Sequence, residues 1–274
     1  MDHIKRNERL GAIARILTDS PNRVFNLSHF CTMFGAVKSS ISEDIDLLGD
    51  VFGRFGLGEI KTIAGAAGGV RFRPVLPHAT VITSLADIAR KLSMPGRLLP
   101  GDFLYTTDIT CDPEAAECMG QALACAYFDV NPDFVLTMET KGIPVAMMTA
   151  RTLDVPLVIA RRDSKAYEGT AVKINYMSGS SGSIETMSLA RRTVKAGQRA
   201  LIIDDFVKGG GTLRGMCDLM GEFSVEVVGI GVVIATAEPV KKRVDGINAL
   251  LSLRAVDHSG ECAVVEPSDW IMGG

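Results

Sequence analysis

The sequence predicts an α/β chain in two parts: a small N-terminal helix-turn-helix domain with a β-hairpin wing, and a larger domain built on a parallel sheet. Three observations predict it. Residues 4–52 hold three helix-period stretches in succession, followed by two strand-like runs around a glycine-rich turn. From residue 133 onward, apolar strand-like runs alternate with helix-period runs, the pattern of crossover connections in a parallel sheet. One such run, residues 200–212, passes from four apolar residues through two carboxylates into a glycine triplet and a threonine. That is a strand, a loop and a helix start, and ligands in parallel-sheet folds bind at such strand ends.

In residues 4–18, Ile4, Leu10, Ile13, Ala14, Ile16 and Leu17 fall at helical spacing among Arg6, Arg9 and Arg15. Ser20-Pro21-Asn22 breaks this helix. Asn26 or Ser28 caps a second, short one that runs to Phe34 and stops at Gly35. The third is expected over 39–52, with Ser39 or Ser40 as N-cap and Glu43 completing a capping box for Ser40. Ile41, Ile45, Leu48 and Phe52 form its apolar stripe. Residues 57–63 and 70–73 read as a hairpin around the turn 64–69, ended by Pro74. A hairpin directly after a helix-turn-helix makes a winged helix. Such a module lays its last helix in the major groove of DNA, so Lys38, Ser39, Ser40 and Ser42 are candidates for phosphate and base contacts. Arg71 and Arg73 alternate along the second wing strand and are expected to point outward, toward backbone phosphates. Glu43, Asp44 and Asp46 add negative charge to the same helix, so useful affinity calls for two modules in a dimer.

The expected domains are 1–76 and 98–274, with 77–97 as a connector containing a helix over 85–92. Residues 103–108 read as an edge strand, and Pro113 opens a helix to about residue 127. A strand over 133–138, a helix over 142–153 and a strand over 155–160 follow. The polar, Gly/Ser-rich stretch 161–187 reads as a hairpin-like lid. A helix over 187–196, a buried strand over 225–236 and an amphipathic helix over 239–251 complete the expectation.

The chemistry sits in two loops. In the first, Gly209, Gly210 and Gly211 let the backbone approach a ligand and turn N–H groups toward it. The helix opened by Thr212 adds unpaired N–H donors and a positive dipole end, which suit a phosphate. Asp204 and Asp205 only accept hydrogen bonds when ionised, so they suit sugar hydroxyls. A phosphate followed by hydroxyls outlines a ribose 5-phosphate. In the second loop, Thr140, Lys141 and Gly142 follow a strand end and open a helix, a further anion site sized for a pyrophosphate. A P-loop is excluded because no Lys precedes Thr212, and a Rossmann fingerprint because position 214 is Arg.

Composition agrees with two domains: 274 residues, 47% of them hydrophobic. Net charge is −3, with ten Lys/Arg against eight Asp/Glu up to residue 76 and nineteen against twenty-four beyond it. A mildly basic N-terminal part on an acidic body is compatible with nucleic-acid contact. The cysteines at 31, 111, 118, 125, 217 and 262 form no Cys-x-x-Cys and have no histidine cluster near them. Neither a metal site nor a disulfide framework is expected, and a reducing cytoplasm fits. No apolar run reaches the ~18 residues of a membrane span, and no signal-peptide pattern is present.

Residues 200–212 resemble the signature of type I phosphoribosyltransferases, which bind phosphoribosyl pyrophosphate (PRPP). Read whole, the chain is similar to the purine operon repressors of Gram-positive bacteria. The likeness rests on Lys38-Ser-Ser-Ile-Ser-Glu-Asp44, the wing turn 64–70, Leu99-Pro-Gly101 with Thr107-Asp108, Thr140-Lys-Gly-Ile-Pro144, residues 174–181, Thr186-Met-Ser-Leu-Ala190 and Leu201-Ile-Ile-Asp-Asp-Phe206. It implies a winged-helix domain fused to a type I phosphoribosyltransferase-like domain, working as a homodimer. Such a protein binds DNA upstream of purine genes, and PRPP relieves the repression. It further implies that Asp204 and Asp205 hold the ribose hydroxyls and that Lys208, Gly209, Gly210, Gly211 and Thr212 hold the 5-phosphate. Phe206 and Val207 belong to the same segment. Thr140, Lys141 and Gly142 would face the pyrophosphate. The likeness departs at Gly210, where relatives often carry alanine, and after residue 237. PRPP is then an effector and the chain is not an enzyme, with no catalytic residue assigned. The alternative is a working purine phosphoribosyltransferase, joining PRPP to a purine base with Mg²⁺; the catalytic enzymes lack the winged helix.

Overall fold

Apolar residues at helical spacing gather the N-terminal helices α1 (Arg6–Asp19), α2 (Leu27–Phe34) and α3 (Lys38–Phe55) around Ile13, Leu17, Phe30, Ile41, Ile45 and Phe52. A computed structural model describes residues 4–65, 68–101, 103–163, 169–178, 182–257 and 262–273. Strands β1 (Glu59–Ile63) and β2 (Gly69–Arg73) pair antiparallel and close this core with Val70 and Phe72. The result is a winged helix; Ala66 and Ala67 of the expected wing turn lie outside the described residues. Asn26 caps α2 by accepting the Ser28 N–H at 2.9 Å, and Gly35 ends it in the left-handed conformation, as expected.

Three expectations here need correction. First, α3 begins at Lys38, because the Val37 carbonyl already accepts the Ile41 N–H at 3.2 Å. Ser39 and Ser40 therefore lie inside the first turn, and neither caps it. Second, Arg73 does not point outward. Gly69, Val70, Phe72 and Arg73 are all buried, so β2 is covered on both faces and alternation carries no outward side there. The Arg73 Nε donates to Asn22 Oδ1 at 3.2 Å. Third, Asp44 adds nothing to the exposed face of α3. It is buried and accepts from Arg6 Nε and Arg9 Nε, each at 2.8 Å, which ties α3 to α1.

The chain divides into two units, residues 1–77 with 151–154 and residues 78–150 with 155–274. The stretch read as a connector holds α4 (His78–Leu92), with Leu85, Ile88, Ala89 and Leu92 buried. Just past its end, the Ser93 Oγ accepts the Val265 N–H at 3.0 Å, so α4 is fastened to the larger unit. Two short strands, β3 (Leu98–Leu99) and β4 (Phe103–Leu104), pair with each other. The edge strand expected over 103–108 is thus two residues long, and α5 (Thr107–Thr110) follows. Helix α6 (Pro113–Cys125) is capped by Asp112, which accepts the Ala115 N–H at 2.9 Å.

The main sheet has six strands in the order β12-β11-β10-β9-β5-β6. These are β5 (Phe134–Met138), β6 (Leu157–Ala160), β9 (Arg199–Val207), β10 (Glu226–Thr236), β11 (Ile247–Asp257) and β12 (Cys262–Pro267). All pairs are parallel except β11 with β12. Every residue of β5 is buried, which explains its continuous apolar run. Helices α7 (Ile143–Leu153) and α8 (Gly211–Glu222) are the crossovers from β5 to β6 and from β9 to β10. A separate hairpin pairs β7 (Ala171–Met177) with β8 (Ile184–Ala190), and α9 (Asp269–Met272) follows β12.

Two predicted helices do not form: residues 187–190 and 247–251 are in strands, and the rest of each stretch is neither helix nor strand. Residues 187–196 begin inside β8, where Ser188 exchanges backbone hydrogen bonds with Arg161 at 2.7 and 3.0 Å. Residues 247–251 belong to β11, because β10 offers a parallel edge along Ile230–Thr236 that this apolar run completes. The stretch expected as a lid contains the hairpin β7–β8; its residues 164–168 and 179–181 lie outside the described residues. No helix among the described residues is long and apolar enough to cross a membrane.

Candidate functional site

Strands β5 and β9 are neighbours, and the chain leaves them in opposite directions. From β5 it crosses through α7 to β6; from β9 it crosses through α8 to β10. At such a reversal the loops beyond the strand ends splay apart and leave a crevice. A cavity of about 710 Å³ opens there. It brings together Asp204, Asp205, Phe206 and Val207 at the end of β9, Lys208 and Gly210 of the loop that follows and Gly211 and Thr212 at the start of α8, with Thr140 and Lys141 from the loop after β5.

Strand β9 continues through the aspartates to Val207, so both carboxylates stand on a rigid element rather than on a loop. Asp204 is buried, and its Oδ1 accepts the Asp205 N–H at 3.0 Å. Burial first, and the neighbouring Asp205 second, hold the Asp204 carboxyl well above the usual range. Burial also raises Asp205, opposed by its hydrogen bond to Asp204 and by the Lys141 charge. Raised carboxyls side by side favour one shared proton, which leaves the remaining carboxyl oxygens as acceptors for ligand hydroxyls.

Beyond Val207 the exposed Lys208 leads into the glycines, and α8 starts at Gly211, one residue earlier than expected. Its N-cap is Gly210 at φ 79°, so an alanine there is strained, and an added Cβ would also stand 3.1 Å from the Arg243 nitrogen. At the departure noted at Gly210, glycine thus avoids backbone strain. Gly209 has no positive φ, and its carbonyl accepts the Arg243 N–H at 3.0 Å. The first-turn N–H groups of α8 have no carbonyl partner within the helix and face the crevice end, where they suit an anion.

The second loop follows β5. Thr140 and Lys141 are exposed on the cavity, while Gly142 lies behind it. A Cβ on Gly142 would come within 2.6 Å of Thr137 Oγ1 and 2.9 Å of Asp204 Oδ1, so glycine lets this loop pack against Asp204. Glu139 accepts the Arg162 N–H at 2.8 Å.

Sequence reasoning did not single out Arg162, Tyr176 and Glu185, which line the same cavity. They lay in the stretch read only as a lid. The Tyr176 hydroxyl donates to Glu185 Oε2 at 2.9 Å, and burial first, then Glu185, pushes the phenol up to about 12. Phe103, Leu104, Leu253 and Val256 form an apolar wall contributed by β4 and β11. The β11 part of this wall lies just past the stretch 239–251 that had been read as a helix. On the winged helix, Lys38 and Ser39 are exposed, Ser40, Ser42 and Arg71 are half-buried, and Arg73 is inside.

Comparison with known proteins agrees with both halves. Residues 5–74 match the family model described as "Bacterial purine repressor, N-terminal". Residues 114–268 match the phosphoribosyl transferase domain. The chain is 40% identical over 253 residues to the purine biosynthesis transcriptional repressor PurR of Bacillus subtilis, covering 92% of this chain and 89% of that one. It is 39% identical over 254 residues to the purine biosynthesis transcriptional activator PurR of Lactococcus lactis strain IL1403, covering 93% and 94%. Among solved structures, the adenine phosphoribosyltransferase of Thermoanaerobacter pseudethanolicus shares the fold of the larger unit, with a TM-score of 0.54 and 21% identity over 61% of this chain and 99% of that one. With a purine-repressor N-terminal region, a phosphoribosyltransferase domain and this identity over nearly its whole length, the chain belongs to the bacterial purine-biosynthesis transcriptional regulator family.

Proposed function

We propose that this chain is a PRPP-sensing transcriptional repressor of purine biosynthesis genes, acting in the cytoplasm as a homodimer. The observation that carries the proposal is the crevice between β5 and β9. It presents two helix-opening loops, suited to two anionic groups, with the acceptor pair Asp204–Asp205 between them. A sugar with a phosphate at one end and a pyrophosphate at the other has this outline. Lys208, Gly209, Gly210, Gly211 and Thr212 take the 5-phosphate. Asp204 and Asp205 take the ribose hydroxyls, and Thr140, Lys141 and Gly142 the pyrophosphate.

The winged helix supplies the output. Lys38 and Ser39 stand exposed at the start of α3, where phosphates and base edges of DNA upstream of purine genes are read, with Ser40 and Ser42 beside them. The modest charge of this module is why two copies are needed. PRPP releases the DNA because it favours the state with lower DNA affinity. One observation favours the transferase alternative: the apolar wall of Phe103, Leu104, Leu253 and Val256 could stack a purine base.

The test is anisotropy of a labelled purine-operon upstream fragment at fixed salt, titrated with the protein and then with PRPP or ribose 5-phosphate. PRPP is expected to displace the DNA and ribose 5-phosphate to fail. DNA that never binds, or that PRPP cannot move, sinks the sensor reading. Release of pyrophosphate from PRPP in the presence of a purine base would establish the transferase instead.

A further inference from the structure

The hairpin β7–β8 stands on α8 through Tyr176. A Cβ at Gly215 would lie 2.9 Å from both Cβ and Cγ of Tyr176, so this glycine is the notch that seats the ring. Seated there, Tyr176 sits across the strands from Glu185 and donates its hydroxyl to Glu185 Oε2 at 2.9 Å. The same Oε2 lies 3.8 Å from Arg162 Nη2. The Arg162 backbone N–H donates to Glu139 at 2.8 Å, which places the residue beside the Thr140-Lys141-Gly142 loop. Glu185, Arg162 and Tyr176 line the same cavity as the two anion loops.

A carboxylate on the wall of a cavity suited to a polyanion is an electrostatic misfit. It repels incoming phosphoryl groups. It also engages a guanidinium and a phenolic O–H, both donors that phosphoryl oxygens bind well. The ion pair is loose: 3.8 Å long, with the Arg162 side chain 65% exposed. A contact of that kind exchanges readily for a better partner.

We infer that Glu185 sets the affinity of the effector site by competing with the ligand: its carboxylate occupies, on Arg162 and Tyr176, the place of a phosphoryl oxygen. Ligand entry breaks the Glu185–Arg162 pair and transfers the arginine to the anion. This inference rests on the reading of the cavity as a PRPP site. It makes Glu185 a brake that keeps free phosphate and pyrophosphate out while PRPP, anchored at additional points, overcomes it.

The experiment is calorimetric titration of the full-length protein with PRPP and with inorganic pyrophosphate, for the wild type, Glu185→Gln, Arg162→Gln and the double variant. Glutamine keeps the size and an acceptor oxygen for Tyr176 while it removes the negative charge. Glu185→Gln is expected to bind PRPP roughly tenfold more tightly, about the value of one charge-assisted hydrogen bond. It should gain at least as much for pyrophosphate, and the gain should vanish in the double variant relative to Arg162→Gln alone. Glu185→Thr, which suits a strand, repeats the test should the glutamine variant unfold. Unchanged or weaker PRPP binding in the folded variant overturns the inference and leaves the PRPP reading intact. Absence of PRPP binding by wild type and variant alike overturns both.

Discussion

Asp204 carries the sharpest physical signature in the molecule. Its carboxyl is buried, has Asp205 as neighbour, and titrates well above the usual carboxylate range for those two reasons. The sign of the consequence follows. A carboxyl raised in the folded state binds more protons than the same carboxyl in the unfolded chain, whose pKa is about 3.9. Its contribution to stability is therefore full below that value and is lost as pH rises through the raised folded pKa. Asp204→Asn removes this dependence. At pH 7 to 8 the ligand-free variant is expected to melt a few degrees above the wild type, and the gap should close on acidification. Melting curves of both proteins across pH check this. A gap that widens as the pH falls would contradict the assignment. The two aspartates were legible in the sequence as acceptors at a strand end. The burial of Asp204 was not, because part of its surroundings, Gly142 included, arrives from a separate loop.

At the scale of elements, the winged helix separates charge that faces outward from charge that holds the fold. Lys38 is exposed at the start of α3, and Arg73 is enclosed with Asn22. The two arginines of β2 had been read alike from their alternation, yet their surroundings differ. Lys38→Ala is expected to weaken operator binding and to lower the salt slope by about one, with little change in melting temperature. Arg73→Ala should instead lower the melting temperature by several degrees, the result of removing a buried hydrogen-bonded side chain at a cost of about 2–4 kcal/mol. Salt-dependent anisotropy and thermal melts on both variants make the comparison. A normal melt for Arg73→Ala together with a reduced salt slope would return that residue to the DNA interface.

At the scale of the whole molecule, sensing requires linkage between the crevice and the winged helix. If PRPP weakens operator binding by some factor, operator must weaken PRPP binding by the same factor, and couplings of this kind run from about 5-fold to 150-fold. Operator affinity at saturating PRPP and PRPP affinity at saturating operator, both at one salt concentration, are expected to give one number. Two unequal factors would show that a further equilibrium, such as dimer dissociation, accompanies the response. The relatives include one regulator named as a repressor and one named as an activator at nearly equal identity. The same coupling is compatible with either sign, because it fixes how effector and operator change each other's affinity and not what the bound protein does to transcription.

The elements legible in the linear chain are those whose causes are local. Asn26 and Gly35 bound α2, the apolar stripe of α3 repeats with the helix, and the buried runs of β5, β9 and β10 are short and continuous. The glycine loops after β5 and β9 were readable for the same reason, since backbone conformation and N–H donors belong to the residues themselves. What local chemistry left open was settled by partners distant in sequence. Arg161 draws Ser188 into a strand, β10 draws residues 247–257 into another, and the cover over β2 turns Arg73 inward. The crevice belongs to this second kind. Neither loop contains it; it exists because the chain turns away from β5 and β9 in opposite directions. Strand order is a global property of hydrogen-bond pairing, and no window of neighbouring residues encodes it.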